Sequence, residues 1–568
     1  MRDDLRNLAA GEHVGVAQTL PRLAADLRSA QSALGLLSAV GPRLVGDVPL
    51  LGRSVVAERA VGTAFVSLLS ASRTLAADTE HLGTAGRIDL TRLDRLHTDL
   101  AGSELAVAGA LDRLDRVQTS FTPWFVGSAV SSARGRVAGA DAGLRRATAM
   151  TAALGDLLGA GGPRTLLLGL ENNAEIRGTG GLVSTVALAH SSSGRLTVGA
   201  FRDVTSSLSR SPSYATSVPA PADYLRSYGG FGANTTIWTN ANFSPSVPDS
   251  ATVLAGLTQR SLGVRPDAVV LLDVPAMAAI VGSTGSTVLL PDGHRVTGPE
   301  LAYDLLVQSY GPVPVDPAQQ QARRVGLERA AGGVVRTLLG RPPTLSLILT
   351  LAAQVAGRHI VLWSADPAAE AELVDAGAAG AVDPAGGDIA MATVDNLGDS
   401  PMHGNKLDYY ARRTLDVQVV LGKGQAEVFE TFHLHNDAPA ALGSYVAGPL
   451  HPGRLSELVG LAFGGSARVT GFSVDGVPGR GEVEPLDGGQ QLLTEVVLPR
   501  GASVTLSLSY TVAITGGSYR LLLVPQPTVY PAQLVVRFSA QSGVRLHAPL
   551  PSIDRPWTSV STLTVAVG

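Results

Sequence analysis

From Leu166 to Asp203 the chain reads LLLGLENNAEIRGTGGLVSTVALAHSSSGRLTVGAFRD. LLLGL is a short apolar run of the kind that makes a buried strand, and the polar, glycine-rich ENNAEIRGTGG breaks out of it as a loop. LVSTVALAH resumes as a second strand, SSSG reads as a turn, and RLTVGAF leads to the charged pair Arg202 and Asp203. A strand, a polar loop, a hairpin and a charged pair, in that order, require a sheet with its polar loop at one end. The layout predicts that Glu175 and Arg177 on the loop face Arg202 and Asp203 where the sheet meets solvent, a usual place for a site.

The remaining sequence falls into three segments, as 568 residues exceed what one core organises. Residues 1–160 read as a helical bundle or stalk. Leu23, Leu27, Ala30, Leu34 and Leu37 recur at spacings of four and three, and Leu90, Leu93, Leu100, Val107, Leu111 and Leu114 repeat the pattern, with the turn GPRLVGDVPLLGRS between them. Residues 161–385 alternate strand-like and helix-like segments, predicting an α/β layer structure. There DAVVLLDV is a buried strand, PAMAAIVG a helix, STVLLP a strand before the turn Asp292-Gly293, and Thr297 with Glu300 a capping box. A further helix starts near Asp316 and Pro317 and carries Arg323 and Arg324 in its second turn.

From 386 to 568 the apolar period changes to two. VTLSLSYTV alternates apolar and hydroxyl residues, LDVQVVLGKGQAEVFETFHLH reads as a hairpin, and YRLLLVPQP and AQLVVRF add strands. The expected fold is thus multidomain α+β: a helical bundle, a central α/β domain and a C-terminal antiparallel β-sandwich.

Composition narrows the function classes. The net charge of −4 argues against a general nucleic-acid binder, while leaving room for a local anion pocket. The absence of cysteine excludes disulfides and thiol chemistry. No apolar stretch reaches the ~18 residues of a membrane span, and the first twenty residues carry acids and a histidine where a signal peptide is apolar. The chain reads either as soluble or as a segment lying after a membrane anchor. No phosphate loop, dinucleotide fingerprint, HExxH helix or GxSxG elbow is present.

The arginines are the more informative candidates. Arg177, Arg202, Arg323 and Arg324 occupy loop, strand-end or helix-start positions within one segment, and guanidinium forks suit phosphate because they donate in pairs and stay charged. Scattered surface arginines are the plain alternative. Asp203 beside Arg202 reads as a surface ion pair, or as a carboxylate that binds a metal or accepts a proton. His433 and His435 share one strand face, where a solvated pair is the simpler reading than a metal site lacking a third ligand.

NNAEIRGTGG, TTIWTNANFSPSVPDSA and NLGDSPMHGNKLDYYARR together resemble the bacterial envelope proteins grouped as domain of unknown function 4012, over most of residues 150–450. The central segment is similar, more distantly, to the LytR-CpsA-Psr phosphotransferases, which attach glycopolymers from polyprenyl-pyrophosphate carriers to the cell wall. LLLGL, Arg177, Arg202-Asp203, LLDVPAMAAIV, TGPELAY and QQQARR follow that family's order. The resemblance implies an extracytoplasmic envelope protein, anchored to the membrane outside this chain, whose partner is a lipid-linked glycan or cell-wall polymer. It implies Arg177, Arg323, Arg324 and Asn173 as substrate-binding residues, Asp203 and Arg202 as catalytic ones, and possible magnesium at Asp203 and Glu175. The family's aspartate after the loop arginine falls where this chain has Gly180, and its earlier aspartate has Glu171 or Glu175 as counterpart.

Two readings follow. In one the arginines clamp a pyrophosphate while Asp203 serves as metal ligand or base, a chemistry of positioning and electrostatics. In the other the chain is a non-catalytic envelope protein that binds glycan or organises a surface assembly.

Overall fold

The structure, a computed structural model, describes residues 56–568 except 58–59, 65, 69, 72–81, 118–123, 209–216, 236, 291–292, 311–316, 400–403, 547–549 and 568. The expected seam from Leu23 to Leu37, the turn that follows it, and Asp292 and Asp316 lie outside the described residues. Helix accounts for 36% and strand for 33%, spread over several sheets, as a multidomain α+β chain requires. Two compact units result. One comprises the described residues of Met1–Thr84, Ile88–Gly155 and Pro343–Leu345, and the other comprises Ala85–Arg87, Asp156–Pro342 and Ser346–Gly568.

The first unit is helical. Asp89 opens α1 (Leu90–Asp115) by accepting from the Thr91 and Arg92 amides at 3.0 and 3.2 Å, which satisfies two of the helix's free donors. One stripe of α1 is buried: Leu93, Leu96, Leu100, Val107, Ala110 and Leu114. Val130 and Val137 of α2 (Trp124–Leu157) share a core with its C-terminal half and with Ala57, Ala60 and Ala64. Burying each leucine stabilises by roughly 1.5–3 kcal/mol, so the stripe is what makes two polar helices pack.

The second unit begins with a mixed sheet. Its strands are β1 (Arg164–Asn172), β2 (Leu182–Ser192), β3 (Arg195–Val198), β4 (Arg202–Asp203), β5 (Ala268–Asp273) and β6 (Ile360–Ser364). The order is β3-β2-β1-β5-β6, with β4 on the free part of β2. Only β1 and β5 are parallel among these pairs, Leu166 lying opposite Ala268. The β2–β3 hairpin turns at Ser193 and Gly194, both with positive φ (50° and 79°), the pair of left-handed residues that a tight hairpin needs. Helix α3 (Val247–Leu262) covers Leu167, Val269, Leu271 and Val361. The helices that follow β5 include α4 (Val274–Thr284), α5 (Gly298–Leu306) and α6 (Pro317–Leu339). The Thr297/Glu300 capping box is present, Glu300 accepting from the Thr297 amide at 2.9 Å.

The same unit continues into a β-sandwich. Its strands are β7 (Asp388–Asn396), β8 (Ala411–Leu421), β9 (Gln425–Asn436), β10 (Leu455–Gly464), β11 (Arg468–Val474), β12 (Val477–Pro478), β13 (Glu482–Leu486), β14 (Gly489–Leu498), β15 (Ser503–Ala513), β16 (Ser518–Leu523), β17 (Gln533–Ala540), β18 (Ser552–Pro556) and β19 (Ser561–Ala566). One sheet runs β13-β14-β10-β7-β16-β19 and the other β12-β11-β15-β9-β8-β17-β18. Val504, Leu506, Leu508, Tyr510 and Val512 point into the core while the hydroxyl residues between them stay half-exposed.

One expectation changes. The sandwich is not wholly antiparallel: β7 runs parallel to β16 and β8 to β17. More than a hundred residues separate each pair, ample for the crossover that parallel neighbours require. Leu458 of β10 and Leu493 of β14 belong to the core of the mixed sheet.

Candidate functional site

The loop between β1 and β2, residues 173–181, is buried at every position. This corrects the expectation of a solvent-facing loop, and the reason is its set of partners. Asn172 holds the first turn by accepting from the Ala174 amide at 3.0 Å. Asp395 of β7 then accepts from the Gly178 amide at 2.7 Å, Asp408 from the Ile176 amide at 3.1 Å, and Gln526 donates to the Arg177 carbonyl at 2.8 Å. The sandwich thus satisfies the backbone that the loop would otherwise show to water.

Arg177 is 4% exposed, and its donors are spent inside the protein. Nε reaches the Thr239 carbonyl at 3.0 Å, Nη1 the Ile176 and Asn396 carbonyls at 2.9 and 2.6 Å, and Nη2 the Asn240 side chain at 3.1 Å. The guanidinium also lies 4.6 Å from the Phe243 ring centroid. Here Arg177 is a bracket between two sheets and not an open clamp. Glu175 is ion-paired with buried Lys406, whose pKa burial pushes down. A carboxylate already engaged by an ammonium is a poor divalent-cation ligand, and Glu175 shares no contact with Asp203.

Asn173 is likewise committed, its amide nitrogen donating to Asp273 at 2.9 Å and its oxygen accepting from the Val274 amide at 3.2 Å. It pins the end of β1 to the start of α4, where Asp273 is the N-cap. Asp273 also meets His359 Nδ1 at 2.6 Å. Burial drives the His359 pKa down, but the Asp273 charge and hydrogen bond outweigh it and the net shift is upward. Beside them Glu171 bonds to the Thr179 hydroxyl and accepts from Asn242 at 3.1 Å. Burial is the main cause that raises Glu171 to about 8, leaving it neutral at physiological pH. Gly180, where the resembled family has an acid, adopts φ +142°, and a Cβ there would stand 2.8 Å from Pro527 Cγ.

Two of the other expected residues do come together, elsewhere. Asp203 pairs with Thr185 at the edge of the mixed sheet, its amide donates to Glu328 at 2.7 Å, and Arg324 of α6 lies 4.0 Å from its carboxylate. Arg202 precedes it in β4 and is exposed. The Arg323 side chain lies outside the described residues. Among the described residues no group of three or more His, Asp or Glu side chains is placed to hold a metal ion. His433 and His435 instead face hydroxyls of β15, Thr505 at 3.0 Å and Ser503 at 2.8 Å.

Sequence reasoning passed over an aromatic surface. Tyr303 meets Tyr409 at a centroid distance of 6.5 Å, and Tyr409 meets Tyr410 at 5.2 Å and Tyr530 at 5.3 Å, all edge to face. Tyr530 donates to the Tyr409 hydroxyl at 2.9 Å and carries Arg412 over its ring at 4.1 Å. Tyr303 and Tyr530 remain 52% and 39% exposed. Tyr303 also lines a cavity of about 740 Å³ with His294, Arg295, Glu300, Asp304 and Gln308. The available signal was the Tyr409-Tyr410 dyad, whose first ring joins the exposed Tyr303 and Tyr530 rings.

A family model described as "Protein of unknown function (DUF4012)" matches residues 161–310. That match supports the DUF4012 family. It spans the mixed sheet from β1 to Tyr310, including the buried loop and α5. No curated protein matches the chain. Among solved structures, a putative nutrient binding protein from Legionella pneumophila is 7% identical, covering 32% of this chain and 71% of its own, with a TM-score of 0.21. Leukotriene A4 hydrolase from Saccharomyces cerevisiae is 10% identical over 28% of this chain and 29% of its own, with a TM-score of 0.18. An M1 zinc metallopeptidase from Deinococcus radiodurans is 13% identical over 28% of this chain and 38% of its own, with a TM-score of 0.17. Similarity at this level carries no argument, and neither fold nor chemistry is taken from it.

Proposed function

We propose that this chain is an extracytoplasmic cell-envelope protein that binds a lipid-linked glycan or cell-wall polymer without transferring it. The observation that carries the reading is the tyrosine series Tyr303–Tyr409–Tyr530, in which buried Tyr409 joins the exposed Tyr303 and Tyr530 rings, continuous with a cavity lined by hydrogen-bonding side chains. Aromatic faces pack against the C–H face of a sugar ring while amide, carboxylate and imidazole groups take its hydroxyls. The LytR-CpsA-Psr-like order of motifs supports the envelope setting. The internal commitment of Arg177, Glu175 and Asn173, and the closure of Gly180 by Pro527, support retention of that architecture without its magnesium-assisted chemistry.

The test is calorimetric titration of soluble cell-wall oligosaccharides into wild type, Tyr303→Ala and Tyr530→Ala. Loss of a stacked face is expected to weaken binding by about tenfold, equivalent to ~1.4 kcal/mol. Unchanged affinity in both variants rejects the tyrosine surface as the glycan site. A second reading, glycopolymer transfer, is favoured by the approach of Arg324 to Asp203. In that reading Asp203→Asn abolishes transfer from a polyprenyl-pyrophosphate glycan while binding persists, and an inactive wild type excludes it.

A further inference from the structure

At the C-terminal end of α4 the chain turns through Gly285 (φ +60°) into a short ribbon, Val288–Leu289 paired with Arg295–Val296. The last turns of α6 and the residues just after it come alongside. Together they border an open surface cavity of about 700 Å³ lined by Ser286, Thr287, Arg295, Arg336, Thr337 and Arg341, with backbone and two apolar side chains between them. No carboxylate is in the lining.

The three arginines are held differently. Arg341 is oriented by the fold, its Nη1 donating at 2.5 Å to the Thr284 carbonyl, one of the acceptors that the end of α4 leaves open. Arg336 leans back along α6 over Gly332 and Gly333, as helical side chains do. A Cβ at Gly332 would come 3.2 Å from Arg336 Nη1. Neither Arg295 nor Arg336 has an ion-pair partner among the described residues. Three like charges drawn around one cavity repel each other, and the neutral lining does nothing to offset that. A multiply charged anion removes the repulsion, and the hydroxyls of Ser286, Thr287 and Thr337 add donors suited to its oxygens.

We infer that this cavity is a binding site for a phosphate-class oxyanion, carried either by a phosphodiester polymer or by a small phosphate compound. Its volume lies within the ~300–1,000 Å³ of small-ligand sites, larger than one phosphate fills. The inference is separable from the glycan reading through Arg336 and Arg341, which line this cavity alone, whereas Arg295 borders both.

The experiment is titration of the whole chain at low ionic strength with inorganic pyrophosphate, a glycerol-phosphate oligomer and neutral dextran. Wild type is compared with the double variant Arg336→Gln/Arg341→Gln and with the single variant Arg295→Gln. Pyrophosphate or the oligomer is expected to bind wild type, at least tenfold more weakly to the double variant, and with affinity that falls as salt rises. Binding of both probes assigns the site to the phosphate group itself, and binding of the oligomer alone assigns it to a polymer. As these side chains are at the surface, the variants are expected to melt with wild type. Equal affinity in wild type and the double variant, or no binding of either anion, overturns the inference, and loss of dextran binding bears only on the glycan reading.

Discussion

The Arg177 guanidinium donates to the main-chain carbonyl of Asn396 at 2.6 Å, joining the polar loop of the mixed sheet to the end of β7 in the sandwich. Removing it leaves buried carbonyls without donors and buried Asp395 without its nearby cation. Arg177→Ala is expected to lower the stability of the larger unit by about 3–5 kcal/mol, read as a lower denaturant midpoint. An open clamp would instead show unchanged stability with lost ligand affinity.

Glu171 predicts an unusual pH dependence. Its folded pKa of about 8 lies above the ordinary glutamate value of 4.5. Its contribution to stability is therefore complete below about pH 4.5 and is lost as pH rises toward 8, by at most ~1.4 kcal/mol per pH unit. Glu171→Gln keeps an uncharged side chain of similar shape. Denaturant titrations at pH 5 and pH 8 are expected to show a smaller decline for the variant; equal declines would refute the assignment.

His359 gives the same sign through a different group. Its folded pKa is raised, so the Asp273 contact stabilises fully below the unfolded histidine pKa, about 6.5, and is lost as pH rises through the folded value. Asp273→Asn is expected to bring the His359 titration down, as followed by proton NMR of the ring. It should also weaken the start of α4, where Asp273 accepts from the Ala276 amide at 2.9 Å.

Gly180→Asp tests whether restoring an acid restores a metal site. The new Cβ would meet Pro527 at 2.8 Å and Glu171 Oε2 at 3.2 Å, on a backbone that side chains rarely adopt. A loss of about 3 kcal/mol or more is expected, with no rise in melting temperature on adding magnesium. A variant as stable as wild type that gains magnesium-dependent stability would show that the strand end has room for the ion.

Much of the local structure was legible because its causes are local. LLLGL, DAVVLLDV and VTLSLSYTV carry their strand character in their own periods, Thr297 and Glu300 lie three residues apart, and the turn at Ser193-Gly194 closes a hairpin between adjacent strands. The loop ENNAEIRGTGG misled for the opposite reason. Its polarity reads as exposure unless Asp395, Asp408 and Gln526 are known to reach it, and those partners lie more than 200 positions away. Asp203 and Arg324 were singled out by residue type, and the sheet edge brings them together. The phosphate-suited cavity was hidden, since Arg295, Arg336 and Arg341 belong to no motif and meet only through the packing of α6 beside the ribbon.

The bond from Gln526 to the Arg177 carbonyl also sets a schedule. A ribosome adding ~5–20 residues per second delivers Gln526 roughly 20–70 s after Arg177. Throughout that interval the Arg177 carbonyl keeps its hydration, and the mixed sheet waits with one end unfinished while the strands of the sandwich are still being made. Early closure of β1 on β2 and late sealing of the loop between them are thus separate events in the birth of the molecule.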